Sequence, residues 1–263
     1  MQTQHGFHSD VGLKRDKNQD HYACAPEVGL FLVADGMGGH LGGETASQLA
    51  SEVIPEKVKE GLASFTSLQL TATEFSEETR EKISLVLKEA IQVANARIYE
   101  LSKKDAHLQG MGTTTTALLL IGQSAWIGHV GDSRCYFIRP DENAIWQMTR
   151  DHSWVQEKIR AGLITRAQAK TDRMRNVITR SVGFEPNVDV DIYTAEVQTG
   201  DTFLICSDGL TGHLDDLQLL QSLKKNLGPK PDSVNETAKK LIDEANAQGG
   251  DDNITVVIVR IPE

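Results

Sequence analysis

The sequence predicts a mixed α+β fold, and three observations favour this class. Residues 77–104 repeat apolar side chains every three or four positions, which is the spacing of one face of a helix. Four short apolar segments follow in quick succession between residues 113 and 149, with turn residues between them. Two later segments, at 201–209 and 252–261, carry apolar residues on both faces, as buried strands do.

The remaining elements follow in chain order. The apolar run at 28–34 predicts a strand, and residues 44–62 predict a helix with a break or kink near Pro55, because proline removes a helical hydrogen bond. The Ser/Thr-rich stretch 64–76 predicts a loop that leads into the helix at 77–104. Segments 113–122, 125–132, 134–139 and 144–149 have short connections, which favour antiparallel meanders. Residues 226–233 predict a turn between two helices.

Length and composition restrict the class of protein. A chain of 263 residues can enclose one complete core, so we expect a single domain. The net charge of −10 disfavours binding to nucleic acid or to an anionic membrane, since both require a basic face. No leader-like or membrane-spanning apolar stretch occurs, which predicts a cytoplasmic protein. Three widely spaced cysteines, Cys24, Cys135 and Cys206, fit a reducing compartment and predict core packing rather than disulfides.

The segment DGMGGHLGGE, residues 35–44, places a carboxylate, five glycines and a histidine after an apolar strand. A glycine-rich turn between a strand and a helix suggests a nucleotide-binding loop. The residues exclude the two common forms, because Gly43 is followed by Glu44 rather than Lys, and Leu41 occupies the third glycine position of a dinucleotide motif. Asp35 therefore requires another explanation.

Aspartates recur at the ends of apolar segments. Asp35, Asp132 and Asp208 each follow such a segment, and Asp252 precedes one. A single Asp-Gly pair after a strand is usually only a turn, but four carboxylates at one rim of a sheet would repel one another unless cations neutralise them. Oxygen ligands without Cys or His spacing indicate Mg²⁺ or Mn²⁺ rather than zinc.

Five motifs occur in order between residues 12 and 259: RDKNQD, VADGMGGH, HVGDSR, CSDGL and GGDDNITV. Together they resemble those of the metal-dependent Ser/Thr protein phosphatases of the type 2C (PPM) family, in its bacterial form. The resemblance implies a four-layer αββα sandwich, with two antiparallel β-sheets between helix pairs. It also implies one catalytic domain over residues 1–263, with a flap at about 151–183 beside the active site.

The resemblance further implies a binuclear Mn²⁺ or Mg²⁺ centre. Asp35 would bridge the two ions, the Gly36 carbonyl would ligate the second ion, and Asp208 and Asp252 would hold the first. Asp20 would act mainly through coordinated water. Asp132 would share a third ion with Asp208.

Two further residues gain roles from the same resemblance. Arg15 would grip the phosphate, because a guanidinium fork matches two phosphate oxygens; without the resemblance, Lys14-Arg15 would be a solvated basic pair. His40 would be the general acid that protonates the departing Ser or Thr oxygen, although a histidine in a glycine loop is often only a polar turn residue. The expected catalytic residues are therefore Arg15, His40 and the metal-bridging Asp35.

Two departures from the family pattern stand out. Gln19 occupies a position where some relatives have Glu, which removes one outer charge and puts the affinity for the second ion in doubt. Asp172-Arg173 stands where bacterial members commonly have His-Pro shortly before RNVITR, which puts flap closure and substrate preference in doubt.

The sequence thus predicts a protein phosphatase that hydrolyses phosphoserine and phosphothreonine with a metal-activated water. The expected partners are phosphorylated proteins, including a cognate Ser/Thr kinase, and the expected state is a monomer. Cysteine-dependent, dehalogenase-like and calcineurin-like phosphatases each lack a required residue here: Arg six positions after a Cys, the complete Asp-x-Asp-x-Thr/Val motif, and the Gly-Asn-His motif. A catalytically silent phosphoprotein-binding module and a metal-dependent nuclease are the two remaining alternatives.

Overall fold

A computed structural model describes residues 2–66, 70, 75–169, 171–228 and 230–262, without the side chains of residues 39, 40 and 140. Its strands form two antiparallel sheets. One sheet has the order β1-β11-β10-β7-β8, and the other has the order β2-β3-β5-β6-β9, with the short β4 paired to β3. The strands are β1 Gln4–Asp10, β2 Asp20–Ala25, β3 Leu30–Met37, β4 Gly112–Thr113, β5 Thr115–Ile121, β6 Ser124–Val130, β7 Arg134–Arg139, β8 Ala144–Gln147, β9 Asp191–Glu196, β10 Thr202–Cys206 and β11 Ile254–Arg260.

The described helices cover the outer faces of the sheets and the loops at their ends. They are α1 Gly39–Leu62, α2 Glu77–Lys104, α3 Trp154–Arg160, α4 Arg166–Ala169, α5 Asp208–Thr211, α6 Asp216–Asn226 and α7 Asp232–Ala247. Short 3-10 turns at Ala106–Leu108 and Pro140–Glu142 complete the set. No described helix is both long enough and apolar enough to cross a bilayer.

Three apolar layers hold the sandwich together. One lies between α1, α2 and the β2–β9 sheet, with Leu32 and Ile91 among its members. A second packs the two sheets face to face through residues such as Phe31 and Phe203. The third lies between the β1–β8 sheet and α6 and α7, around Tyr136. The predicted four-layer αββα sandwich of two antiparallel sheets is therefore confirmed.

The second half of the strand-rich region departs from a single meander. Strands β5 and β6 form a hairpin in one sheet, whereas β7 and β8 form a hairpin in the other. The chain crosses between sheets within the three residues Gly131, Asp132 and Ser133. Short connections predicted the hairpins correctly, but they could not show that one of these links changes sheets. Asp132 lies in this crossover.

Helix α1 differs from its prediction at both its start and its middle. It begins at Gly39, five residues earlier than expected, and continues through Pro55 without the predicted break. Helix α2 spans the predicted residues, and its N-terminus is capped by the Ser76 hydroxyl, which accepts a hydrogen bond from the Thr79 N–H. The predicted loop at 64–76 lies largely outside the described residues.

Three strands lacked a usable sequence signal. Strands β1, β2 and β9 are rich in polar residues and mostly half-buried, so their apolar alternation is weak. Their pairing to β11, β3 and β6 supplies the order that their own sequences do not indicate. The predicted turn at 226–233 does join two helices. Cys135 and Cys206 are buried in the core as expected, whereas Cys24 is only half-buried and packs against the edge of the core.

Candidate active site

Strand pairing places two of the predicted aspartates side by side. In the β2–β3 ladder, Asp20 lies directly opposite Asp35. The backbone of Asp35 is held on its other side, because its N–H donates to the Thr114 hydroxyl at 3.0 Å and its carbonyl accepts from the Thr114 N–H at 2.8 Å. The position of both carboxylates is thus set by sheet register.

Two positions after Asp35 require glycine, each for a different structural reason. Gly38 has a φ of +109°, a conformation that side chains disfavour, and it turns the chain from β3 into α1. Gly36 has no such φ, but a Cβ there would clash with the carbonyls of Gly43 and Gln19. The first turn of α1 therefore packs directly on the end of β3, and the close approach of two backbones explains why residue 36 is glycine.

Asp132 is positioned by the turn between the two sheets. Gly131 has a φ of +110°, and His152 binds it twice. The His152 N–H donates to the Gly131 carbonyl at 2.7 Å, and the Gly131 N–H donates to His152 Nδ1 at 3.0 Å. Burial lowers the pKa of His152, which favours the neutral ring that this accepting Nδ1 requires. His152 lies at the start of the flap, so one residue ties the flap to the Asp132 turn.

The last two predicted carboxylates come from the other sheet. Asp208 is the first residue of α5, directly after β10, and Asp252 lies in the loop before β11. Ser207 links the two sheets, since its hydroxyl donates to Asp20 Oδ2 at 2.7 Å. Asn253 fixes the loop that carries Arg15, because its side-chain amide donates to the carbonyls of residues 11 and 17 at 2.9 and 2.8 Å.

These residues surround a cavity of about 720 Å³. Four of the predicted aspartates line it, and the buried Asp20 is close enough to Asp35 and Asp208 to interact with both. Gly36 and Arg15 line the same cavity. These four aspartates are Asp35, Asp132, Asp208 and Asp252, and Asp16 lines the cavity as well. The structure thus brings the strand-end carboxylates to one cavity, and their metal roles remain a prediction.

Burial and mutual repulsion dominate the electrostatics. We call Asp20, Asp35, Asp132 and Asp208 the acidic cluster. Burial, assisted by the charge of Asp208, raises the pKa of Asp20 to about 7. Burial and the neighbouring Asp252 raise the pKa of Asp208 to about 6. The pKa values of Asp35 and Asp132 lie well above their ordinary range for the same two reasons, burial first and neighbouring carboxylates second.

The cluster fits a cation by its chemistry. Asp20 Oδ1 and Asp208 Oδ1 are buried and make no hydrogen bond among the described residues. A buried carboxylate oxygen without a donor is unfavourable unless a cation or a proton satisfies it. Within the described ranges, however, no three His, Cys, Asp or Glu side chains converge closely enough to form a metal cage unaided. The carboxylates therefore share a cavity lined with oxygen donors, and added positive charge would lower their repulsion.

The structure shows the position of the Arg15 side chain but does not describe that of His40. The Arg15 guanidinium pairs with Asp252 at 2.7 Å, and about half of its side chain is exposed, so it is close to the cavity and accessible. His40 is the second residue of α1, but its side chain lies outside the described residues. Its predicted role is therefore untested.

Several supporting residues were missed by the sequence reading. His152, Ser207 and Asn253 make the contacts that position the loops, yet their own positions carry no distinctive pattern. Asn253 and Ser207 directly adjoin the predicted aspartates, so their place beside the motifs was the only available signal. His152 lies twenty residues from Asp132, and only the fold reveals their proximity.

Comparison with known proteins identifies the family of the chain. The chain matches the profile of the family described as "Protein phosphatase 2C" over residues 14–245. It is 36% identical to the serine/threonine phosphatase stp of Listeria welshimeri over 96% of this chain and 94% of that protein. It is 33% identical to protein phosphatase PhpP of Streptococcus pneumoniae, over 97% and 96% of the two chains.

Solved structures show the same fold. The Mycobacterium tuberculosis serine/threonine phosphatase PstP/Ppp superposes with a TM-score of 0.81 at 32% identity, covering 99% of both chains. A catalytic domain of PstP in complex with two manganese ions superposes with a TM-score of 0.78 at 31% identity, again over 99% of both chains. The chain therefore belongs to the protein phosphatase 2C family. It is a protein serine/threonine phosphatase of a metal-dependent family.

Proposed function

We propose that the chain hydrolyses phosphoserine and phosphothreonine at a binuclear Mn²⁺ or Mg²⁺ centre held by its aspartates. One observation carries the proposal: carboxylates from both sheets face one cavity, and two of their buried oxygens lack a partner. The relative with two manganese ions supports the number of ions. Bound ions would supply positive charge and lower the pKa of a water molecule that attacks phosphorus.

The proposed ligands follow from position. Asp35 would bridge both ions, since it interacts with Asp20, Asp132, Asp208 and Asp252. The Gly36 carbonyl would bind the second ion, and Asp208 with Asp252 would bind the first. Asp20 is buried below the cavity, which suits a role through intervening water. Asp132 interacts with Asp208, which supports their sharing a third ion.

Arg15 would bind the phosphate. Its guanidinium now pairs with Asp252, and a substrate phosphate offers the same acceptor chemistry with more charge. We propose that Arg15 binds two phosphate oxygens when substrate enters, which leaves Asp252 to its metal role. This step needs only a side-chain movement, because the loop backbone is fixed by Asn253.

His40 would donate a proton to the departing oxygen. As the bond between phosphorus and the Ser or Thr oxygen breaks, that oxygen takes the proton and leaves as a hydroxyl, and inorganic phosphate remains. The assignment rests on sequence position. A His40→Ala variant should lose more activity on a phosphothreonine peptide than on p-nitrophenyl phosphate, whose leaving group needs little protonation. Equal losses on both substrates would remove His40 from this role.

Hydrolysis of a phosphothreonine peptide tests the proposed function. We expect turnover with Mn²⁺ or Mg²⁺ and none after excess EDTA, with activity restored by added metal. Alkylation of thiols should not inhibit, because Cys135 and Cys206 are buried and none of the three cysteines lines the cavity. Full turnover in EDTA would contradict the proposal, and metal binding without any hydrolysis would favour the silent binding module instead.

Substrates of a Ser/Thr protein phosphatase are phosphorylated proteins. That these include a cognate Ser/Thr kinase, and that the enzyme is a monomer, are our proposals. Light scattering after gel filtration tests the second, and a mass near 28.9 kDa is the expected result.

A further inference from the structure

The flap, residues 151–183, differs in charge from the rest of the chain. It contains seven basic and three acidic residues, a net +4, whereas the whole chain carries −10. The other 230 residues therefore carry −14. A local excess of positive charge beside a cavity raises the concentration of anions there. The flap is thus the part of this acidic protein most suited to an anionic ligand.

Ion pairs already engage each acidic side chain of the flap. Asp151 pairs with Arg134 at 2.7 Å, and Glu157 pairs with Arg160 at 2.6 Å. Asp172 pairs with Lys158 at 2.8 Å and accepts the Met174 N–H at 2.8 Å. Asp172 therefore joins the 172–175 turn to α3 and leaves no acidic group of the flap to neutralise the arginines of that turn.

Arg173 and Arg175 are those arginines. Both are exposed, and neither makes an ion pair with any residue that the structure describes. The turn is held at its far end by the Trp154 N–H, which donates to the Val177 carbonyl at 2.8 Å. The next residues along the chain, Asn176 and Ile178, line the active-site cavity. Two exposed arginines without an ion pair to any described residue thus lie on an anchored turn, directly before residues that line the cavity.

The loop that carries Arg15 also brings basic residues to the cavity. Lys14 and Lys17 are exposed, line the cavity and make no ion pair among the described residues. Asp35, Asp132 and Asp208 of the acidic cluster line the same cavity, and bound metal would offset their charge. A phosphopeptide bound there would extend toward the segments that line the cavity.

We propose that Arg173 and Arg175 form a subsite for anionic groups that flank the phosphorylated residue, so that the enzyme prefers acidic phosphoprotein segments. The inference rests on the proposed function. The anionic group is a Glu or Asp side chain or a second phosphate, since a guanidinium fork pairs with both.

Matched peptides test the subsite. Three phosphothreonine peptides would differ only at the flanking positions, which carry Gln, Glu or a second phosphothreonine. At low salt we expect kcat/KM for either anionic peptide to exceed that for the Gln peptide by roughly three- to tenfold, through KM. The larger of the two ratios identifies the anionic group. Raising the ionic strength should reduce both ratios, since the contacts are exposed.

Variants test whether Arg173 and Arg175 cause the preference for anionic peptides. In the double variant Arg173→Ala/Arg175→Ala both ratios should fall to about one, and in Arg173→Lys/Arg175→Lys a preference should remain. Lys239→Ala removes one charge from an exposed position of α7 that makes no ion pair among the described residues, and should keep the wild-type ratios. Melting temperatures confirm that each variant is folded.

Two results would overturn the subsite. One is a wild-type enzyme that hydrolyses all three peptides equally well, and the other is a preference that persists in the double alanine variant. Because the readout is a ratio, either result is distinct from failure of the proposed function, in which no peptide is hydrolysed with metal present.

Discussion

The acidic cluster and the flap border the same cavity, yet they are built in different ways. The cluster lies at the ends of core strands, where ladder register and buried hydrogen bonds fix its backbone. Among its described residues, the flap is buried only near its ends, at His152, Ser153, Val182 and Gly183, and its two helices contain no buried residue. Concentrated charge thus occurs where the scaffold is rigid, whereas the exposed side chains that could select a substrate occur where it is loosely held.

The largest effect should come from the centre of the cluster. Asp35→Asn keeps the shape of the side chain but removes the charge that would bridge two ions. We expect kcat to fall by more than about a hundredfold while the fold remains intact. Phosphopeptide hydrolysis in Mn²⁺ measures the loss, and Asp243→Asn on the exposed face of α7 is the matched control. A variant that kept a tenth of wild-type turnover would disprove the bridging role.

Removing the guanidinium at the cavity mouth should have the next largest effect. Arg15→Ala loses charged hydrogen bonds to phosphate and touches no proposed metal oxygen other than Asp252. We expect kcat/KM for a phosphopeptide to fall roughly ten- to a hundredfold. Calorimetric titration with Mn²⁺ should show little change in affinity. An unchanged kcat/KM would return Arg15 to the solvated-pair interpretation.

A smaller effect should follow at the point where the cluster meets the flap. Asp132 lies in the crossover turn that His152 holds, and it interacts with Asp208. Asp132→Ala should slow phosphoprotein turnover by about tenfold and leave two tightly bound ions in place. Loss of both tight sites in a Mn²⁺ titration would mean that Asp132 holds the two core ions. Full activity would mean that the segment around Asp132 serves only as a turn.

The stability of the metal-free protein offers the most sensitive comparison. The unfolded chain releases the Asp35 proton near its ordinary pKa of 3.8, whereas burial and neighbouring carboxylates hold the proton to higher pH in the folded state. The folded state then binds more protons, so the free energy of unfolding falls as pH rises above about 4. In EDTA, the melting temperature of Asp35→Asn should exceed that of wild type by a margin that widens from pH 5 to pH 8. A difference in melting temperature that stayed constant from pH 5 to pH 8 would contradict this electrostatic explanation.

The acidic cluster could be predicted because its residues fall within short motifs. Three of them, Asp35, Asp132 and Asp208, adjoin apolar strands, as the neighbouring Asp252 also does, and strand ends in a packed sandwich can meet at one rim. The fourth, Asp20, was placed by the RDKNQD motif alone.

The sequence did not predict where the chain crosses between sheets or where α1 begins. The crossover turn at Gly131 packs against the Thr114 side chain. Helix α1 begins at Gly39, where the backbones of Gly36 and Gly43 pack closely. Local propensity indicates neither contact.

The flap was harder to predict, for a physical reason. Its exposed residues have little apolar periodicity, and its shape depends on side-chain pairs such as Lys158 with Asp172. Such pairs join positions fourteen residues apart, and the sequence does not show which acid meets which base. His152 illustrates the same limit, since only the folded chain brings it to Gly131.

Calorimetric titration of Mn²⁺ into the metal-free wild-type protein and into Asp35→Asn tests the central claim most directly. If the cluster holds a binuclear centre, wild type should bind two ions tightly and Asp35→Asn should lose tight binding at both sites together, while circular dichroism shows an unchanged fold. Two tight sites in Asp35→Asn, or no tight site in wild type, would contradict the account.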